Sequence, residues 1–276
     1  MKKKIVAIIL TYNSQKNIKE TILSAKKISQ DIIIVDSYSK DKTIKIVKKL
    51  NCRVIRRKFK NYSDQRNFII KKCDKIYEWQ LHLDADEVLS SEAIKSIKTI
   101  IKTNDSNHSY LIKRQVYFMN TKLVFGGASN WHLRLFPSKN TQCENKLYDQ
   151  HFVSKLGSKK IKGVLNDKNN QSLYDWINSH NNWSSLAVKK QVKSKNLLKA
   201  NFFGDSTQRN RFIRNFLSIF PIGIKGFLYF FIKYIILLGF LHGRAGFIFY
   251  FLNSFWFQTL CDAKKYELTL NKNNKK

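Results

Sequence analysis

WQLHLDADEVLS, residues 79–90, is the stretch on which the reading of the fold turns. Trp79, Leu81 and Leu83 alternate with Gln80 and His82, the period-2 pattern of a β-strand. The run then ends in Asp84-Ala85-Asp86-Glu87, three acids in four residues, in a chain with 51 Lys and Arg against 19 Asp and Glu. A carboxylate closing an apolar strand is costly unless it has a partner. Two carboxylates one residue apart can divide the work: one ligates a divalent cation, and the other meets a sugar hydroxyl or the same ion. Mg²⁺ in particular takes few carboxylates and completes its octahedron with water and substrate phosphates. On its own, Asp-x-Asp also arises by chance in surface turns.

Upstream the same kind of run recurs. KIVAIIL (4–10), DIIIVD (31–36) and CRVIRR (51–56) have strand length and β-branched content, and helical spacing fills the gaps between them. Asn17 and Glu20 suit a capping pair before a helix burying Ile18, Ile22 and Ala25, while Ile94, Ile97, Ile100 and Ile101 mark a later helical face. Strand and helix alternation at this pace predicts a mostly parallel α/β sheet with helices on both faces. Ligands on such sheets sit beyond the carboxyl ends of the strands. Those ends carry Thr11-Tyr12-Asn13, Asp36 followed by Ser37 to Thr43, and Asp84 to Asp86. Ser39, Asp41 and Thr43 serve equally as turn formers and caps. Asp36 and Asp84 each end an apolar run and call for a partner.

Residues 109–118 and 131–136 alternate again, separated by Gly126-Gly127. Beyond them Asp149 and His151 stand close together in a basic neighbourhood. The final third changes character. Between Asp205 and Asp262 there is no acid, only Arg209, Arg211, Arg214, Lys225, Lys233 and Arg244 among dense Phe, Ile, Leu, Tyr and Trp. Such a stretch is expected to be buried in protein or lipid. Its uncharged windows, 234–243 and 245–261, approach the ~17 to 25 residues of a spanning helix only in the second case. That window contains Asn253, Ser254 and Gln258, so interfacial or re-entrant helices suit it better than a clean span. A core helical appendage without lipid contact is the other reading. The expected organisation is a catalytic domain over 1–200, with halves at about 1–105 and 106–200, followed by a helical basic region over 201–276.

A net charge of +32 points to polyanionic neighbours: nucleic acid, acidic lipid or phosphorylated substrate. Part of the excess is equally a compositional habit, since Lys alternates with Asn and Ile throughout. Cys52, Cys73, Cys143 and Cys261 show no metal-finger spacing and suit free thiols in a reducing compartment. The apolar run after MKKK is short for a secretory core and reads as a buried strand.

Four pieces in order, IVAIILTYNSQKNIKETILSA, IIIVDSYSKDKTIKIVKKLNCRVI, SDQRNFIIKK and WQLHLDADEVLS, resemble family 2 glycosyltransferases. The later GGASNWHLRLF and LYDQH segments look like the lipopolysaccharide-core glucosyltransferase subgroup, more loosely. The resemblance implies a nucleotide-sugar-binding α/β fold in which Thr11, Tyr12 and Asn13 line the nucleotide site and Asp36 receives the base. It further implies Asp84 near the ribose or diphosphate, Asp86 on a Mg²⁺ or Mn²⁺ ion, and Arg66 and Asn67 approaching the donor. Members of this type invert the anomeric centre, which needs a carboxylate base. Asp149 is the candidate, with Glu144 or Glu87 as substitutes, because relatives carry a His-Glu pair where this chain reads Asp149-Gln150-His151. Arg134 is a candidate for the donor phosphates and Trp131 for sugar stacking, against ordinary strand packing for both.

The leading expectation is therefore a metal-dependent hexosyltransferase. It would use a nucleotide diphosphate sugar and a lipid-linked glycan, at an anionic membrane surface on the cytoplasmic side. A basic nucleic-acid-binding protein and an inactive membrane scaffold of the same fold are the competing readings. The absence of a visible basic stripe speaks against nucleic acid.

Overall fold

A continuous β-branched run can be buried on both faces only inside a parallel sheet covered by helices. The computed structural model describes residues 2–147, 149–168, 170–190 and 219–273, together with 201, 203, 204, 208, 212, 215 and 216. In it, β1 (Lys3–Thr11), β2 (Ile32–Asp36), β3 (Arg53–Arg56) and β4 (Tyr77–Asp84) pair in the order β3-β2-β1-β4. All three pairings are parallel. The connections are α1 (Ile18–Lys26), α2 (Thr43–Lys49) and α3 (Tyr62–Cys73).

Alternate residues of β1 serve opposite cores. Ala7 and Ile9 pack with Ile18, Ile22, Ile34, Leu81 and Leu83, and Val6 and Ile8 pack with Val35, Ile69 and Cys73 of the α3 side. Each fully buried aliphatic side chain here contributes about 1.5–3 kcal/mol. All four cysteines are free.

The sheet then changes direction. β5 (Glu87–Leu89), α4 (Ser91–Thr103), β6 (His108–Phe118), β7 (Thr121–Lys122), β8 (Asn130–Pro137), β9 (Thr141–Cys143), β10 (Phe152–Ser154) and β11 (Gly157–Lys168) follow. The order continues β4-β8-β6-β11-β5, with β8 antiparallel to β4 and β5 antiparallel to β11. β9 and β10 form a separate hairpin. Ser90 caps α4 through Ala93 N at 3.2 Å and also accepts from Val164 N at 3.0 Å, fixing β11 to the helix start. The expected Asn17 cap does not form. The Asn17 side chain makes no capping bond to α1, and its Oδ1 accepts instead from Asn170 Nδ2 at 2.9 Å.

By contacts the chain forms two compact units. The first is Met1–Gln115, Trp131–Asn145 and Gln150–Asn170, and the second is Val116–Asn130, Lys146–Asp149 and Gln171–Lys276. The expected boundary near residue 200 lies outside the described residues, as do Arg209, Arg211 and Arg214. The second unit has its own core, in which Phe118, Leu123, Trp176, Phe249 and Tyr250 cluster. It contains α5 (Leu173–Lys190), α6 (Ile224–Phe231) continued by a π-helical turn (Ile232–Ile236), a 3₁₀ turn (Gly239–His242) and α7 (Gly243–Tyr250). A second π-helical turn (Phe251–Trp256) and α8 (Phe257–Asn273) complete it. Lys225 pairs with Asp262, and Lys264 Nζ donates to Asn181 and Ser184 of α5. Among the described residues no single helix is long and apolar enough to cross a membrane. Ile224–Ile236 and Gly239–Leu270 pass that test only as a pair, bent by 75°.

Candidate active site at the carboxyl rim

Strand register gathers the rim. Thr11 lies opposite Asp36, and Leu10 lies opposite Asp84, so three adjacent parallel strands present Thr11, Asp36 and Asp84 side by side. Asp36 is fully buried and accepts from Ser39 N at 3.1 Å and from the Ser39 hydroxyl. Ser39 Oγ in turn accepts from Asn13 N at 2.9 Å, and Asn13 Oδ1 accepts from Lys40 N at 2.8 Å. Further along, Ser14 N donates to Thr43 Oγ1 and Gln15 N to Asp41. Ser39, Asp41 and Thr43 thus act as turn formers that lace the β1–α1 loop to the β2–α2 loop. Within the β1–α1 loop Tyr12 stays exposed, and the buried Thr11 hydroxyl makes no hydrogen bond among the described residues.

The acid stretch is built from several strands. Asp84 accepts from Arg66 of α3 and from Arg134 of β8, each at 2.7 Å. Arg134 reaches Glu87 as well, at 2.5 Å, and Glu87 also takes the Asp84 N–H at 2.9 Å. Asp167 of β11, in register opposite Glu87, pairs with Arg114 of β6 at 2.6 Å. Asp86 is held by its backbone, whose carbonyl accepts from Lys168 N at 3.2 Å. Among the described residues its carboxylate has no hydrogen-bond or ion-pair partner.

This arrangement splits the acids electrostatically. Burial works to raise the Asp84 carboxyl, but Arg134, Arg66 and Arg114 outweigh it and hold the group well below the ordinary carboxylate range. Asp86 goes the other way: burial, then Asp167, Asp84 and Glu87, push its carboxyl well above that range. Glu87 is raised chiefly by burial, despite Arg134 beside it. A bound divalent cation would relieve the charge crowding at Asp86, so the donor set fits one. Among the described residues no three His, Cys, Asp or Glu groups form a closed metal cage.

Other predicted residues take different places. The Asn67 amide is engaged on both sides by the Cys143 backbone, accepting at 2.8 Å and donating at 2.9 Å, so it anchors β9. Its neighbour Arg66 lies 4.8 Å over the Phe152 ring. Trp131 carries the Lys160 ammonium at 5.1 Å from its ring. Glu144 is fully buried; its N–H donates to His151 O at 2.9 Å, and its carboxylate accepts from His151 N at 3.2 Å. Asp149 belongs to the second unit, in a turn with φ of 54°.

Sequence reading missed Arg114, Asp167 and the His132–His151 stack, whose rings lie 5.9 Å apart. Burial first, then Arg134 and Arg114, push the His132 imidazole well below its usual range, so it is neutral at pH 7. The available signal was the Arg in the alternating 109–118 run and the lone acid after VLN in 164–167.

Fold and rim together define an α/β protein whose polar site lies beyond the carboxyl ends of a parallel sheet. The family model for glycosyl transferase family 2 matches residues 6–162, more than half of the chain, and the protein belongs to that family. An uncharacterised glycosyltransferase of Rickettsia typhi is 28% identical over 205 residues, 69% of each chain. One from Rickettsia bellii is 33% identical over 152 residues, which is 55% of this chain and 48% of the relative. This chain thus matches about half the length of some curated relatives. Among solved structures, S. aureus TarS 1–349 in complex with UDP gives a TM-score of 0.42 at 17% identity, covering 96% of this chain and 92% of that one.

Proposed function

We propose that the protein is an inverting glycosyltransferase. It transfers a hexose or N-acetylhexosamine from a nucleotide diphosphate sugar to a lipid-linked glycan, such as a lipopolysaccharide core or related cell-envelope glycolipid. The observation that carries this reading is the Asp86 carboxylate, without a hydrogen-bond or ion-pair partner among the described residues, beside the arginine-held Asp84. Asp86 would hold Mg²⁺ or Mn²⁺, with Asp84 adjacent. When bound, such an ion neutralises charge on the departing diphosphate. Asp36, with the free Thr11 hydroxyl and exposed Tyr12, receives the base and nucleoside, and Arg66 and Arg134 keep Asp84 ionised and oriented toward the donor.

In the transfer itself the acceptor hydroxyl oxygen attacks the anomeric carbon. The bond from that carbon to the diphosphate oxygen breaks, the nucleotide diphosphate leaves, and the hydroxyl proton passes to a carboxylate. We assign that base to Asp149 on the family pattern. The site works at an anionic membrane surface, on the cytoplasmic face of the inner or plasma membrane, where the lipid-linked acceptor resides and the chain's +32 charge is favourable.

The test is transfer by the purified full-length protein, given a panel of nucleotide sugars, Mn²⁺ and a glycolipid extract, and read by mass. Consumption of one donor with a matching sugar increment on a lipid is expected. A salt-sensitive nucleic-acid gel shift with no donor consumed would overturn the reading.

A further inference from the structure

The second unit contains a helix break of unusual polarity. Between the π-helical turn 232–236 and the 3₁₀ turn, Leu238 has φ of 60°, a left-handed conformation that bulky residues adopt only where the surroundings impose it. Turns of this kind in water ordinarily use Gly or Asn.

Here the constraint comes from residues 123–127. Gly126 N donates to Leu237 O at 2.7 Å, and His242 Nε2 accepts from Val124 N at 2.9 Å and from Phe125 N at 3.1 Å. The Tyr250 hydroxyl donates to Phe125 O. Gly126 has φ of 71°, and a Cβ there would fall 2.2 Å from the Tyr250 ring, so only glycine permits this approach. The backbone is thus clamped while Val124, Phe125, Ile236, Leu237, Leu238 and Leu241 all remain exposed, Ile236 at 59%.

We propose that these six side chains form a preformed wedge that inserts into one leaflet of an anionic bilayer. This deepens the membrane reading above and rests on it. Charge selects the occupant. No acid lies between Asp205 and Asp262, Asp262 is committed to Lys225, and Arg244 is exposed just past the patch. A second copy would carry the same whole-chain charge of +32 and be repelled, whereas acidic head groups complement it. Apolar area supplies the insertion, and the basic surroundings supply the attraction to the head groups.

The test is flotation of the full-length protein with phosphatidylcholine vesicles, with and without phosphatidylglycerol, at low and high salt. The wild type floats with the anionic vesicles and partly resists salt. Combining Ile236→Ser with Leu241→Ser weakens binding about tenfold with an unchanged circular-dichroism melt. Val124→Ser, on the separate clamp segment, weakens it also and decides the matter if the double variant misfolds. Flotation of the variants equal to wild type overturns the proposal. So does a wild-type dimer, by light scattering, that the substitutions dissolve without changing flotation. Nucleotide-sugar binding on the same preparations separates the outcomes: its loss with flotation intact counts against the proposed function and leaves the wedge standing.

Discussion

Arg134 donates to Asp84 at 2.7 Å from a strand antiparallel to the one Asp84 closes, and the same guanidinium holds the buried Glu87. One cation therefore serves two carboxylates whose charges would otherwise repel. Arg134→Ala leaves Glu87 buried without a counter-charge and is expected to cost about 3–5 kcal/mol in urea unfolding. Both bonds come from the one Nη2 of Arg134, so Arg134→Lys, which keeps a charge but places its ammonium on a stem of different shape, falls between. Stability of Arg134→Ala within experimental error of wild type would show that the bridge contributes nothing.

Asp86 makes the opposite prediction. Its folded-state carboxyl is raised above the unfolded value of 3.8, so between those two values the folded protein binds the extra proton, and stability falls as pH rises. Asp86→Asn removes that penalty. The variant should be more stable than wild type at pH 7, with the gap closing as pH falls below the folded-state value and vanishing below 3.8, where the acid is protonated in both states. Asp84, depressed by its arginines, keeps its contribution to lower pH in both proteins. Melting curves across pH check this. An Asp86→Asn protein less stable than wild type at neutral pH would mean that the carboxylate is not crowded.

Asn67→Ala removes both amide bonds to the Cys143 backbone and should cost roughly 1–3 kcal/mol, because buried backbone groups lose their partners. The loosened β9 hairpin also carries Glu144. Chemical denaturation, set beside the donor KM, separates anchoring from donor contact: a changed KM with unchanged stability would assign Asn67 to the donor.

If Asp149 takes the acceptor's proton, Asp149→Asn lowers kcat by about 10²–10⁴. Donor KM stays as it was. Steady-state kinetics check the split, and if Glu144→Gln lowers kcat and Asp149→Asn does not, the base moves to Glu144.

The parallel half of the sheet was legible because β1 and β2 are near-continuous apolar runs, and β4 alternates Trp79, Leu81 and Leu83 with polar residues, all three strands being buried on both faces. Their ends, Thr11, Asp36 and Asp84, could be read directly as a rim. Glu87 was harder, since nothing near it in sequence announces its partner, Arg134, 47 residues on. Asp167 was invisible for a different reason. β11 shows a mostly exposed, lysine-rich pattern, and its pairing with β5 joins residues about eighty positions apart. The Asn17 cap failed because a distant amide, Asn170, competed for the same oxygen. In the last third, composition announced apolar surface that needs protein or lipid to cover it, while the clamp that shapes it depends on Val124 and Phe125 meeting His242, and Gly126 meeting Leu237, across more than a hundred residues.

The central claim is that Asp86 makes donor binding depend on a divalent cation. Isothermal titration of UDP-sugars into the full-length protein, with Mn²⁺ or with chelator, tests it most directly. Binding that requires Mn²⁺ and is lost in Asp86→Ala, while that variant still melts cooperatively, is the predicted result. Equal donor affinity in chelator, or in Asp86→Ala, would contradict it.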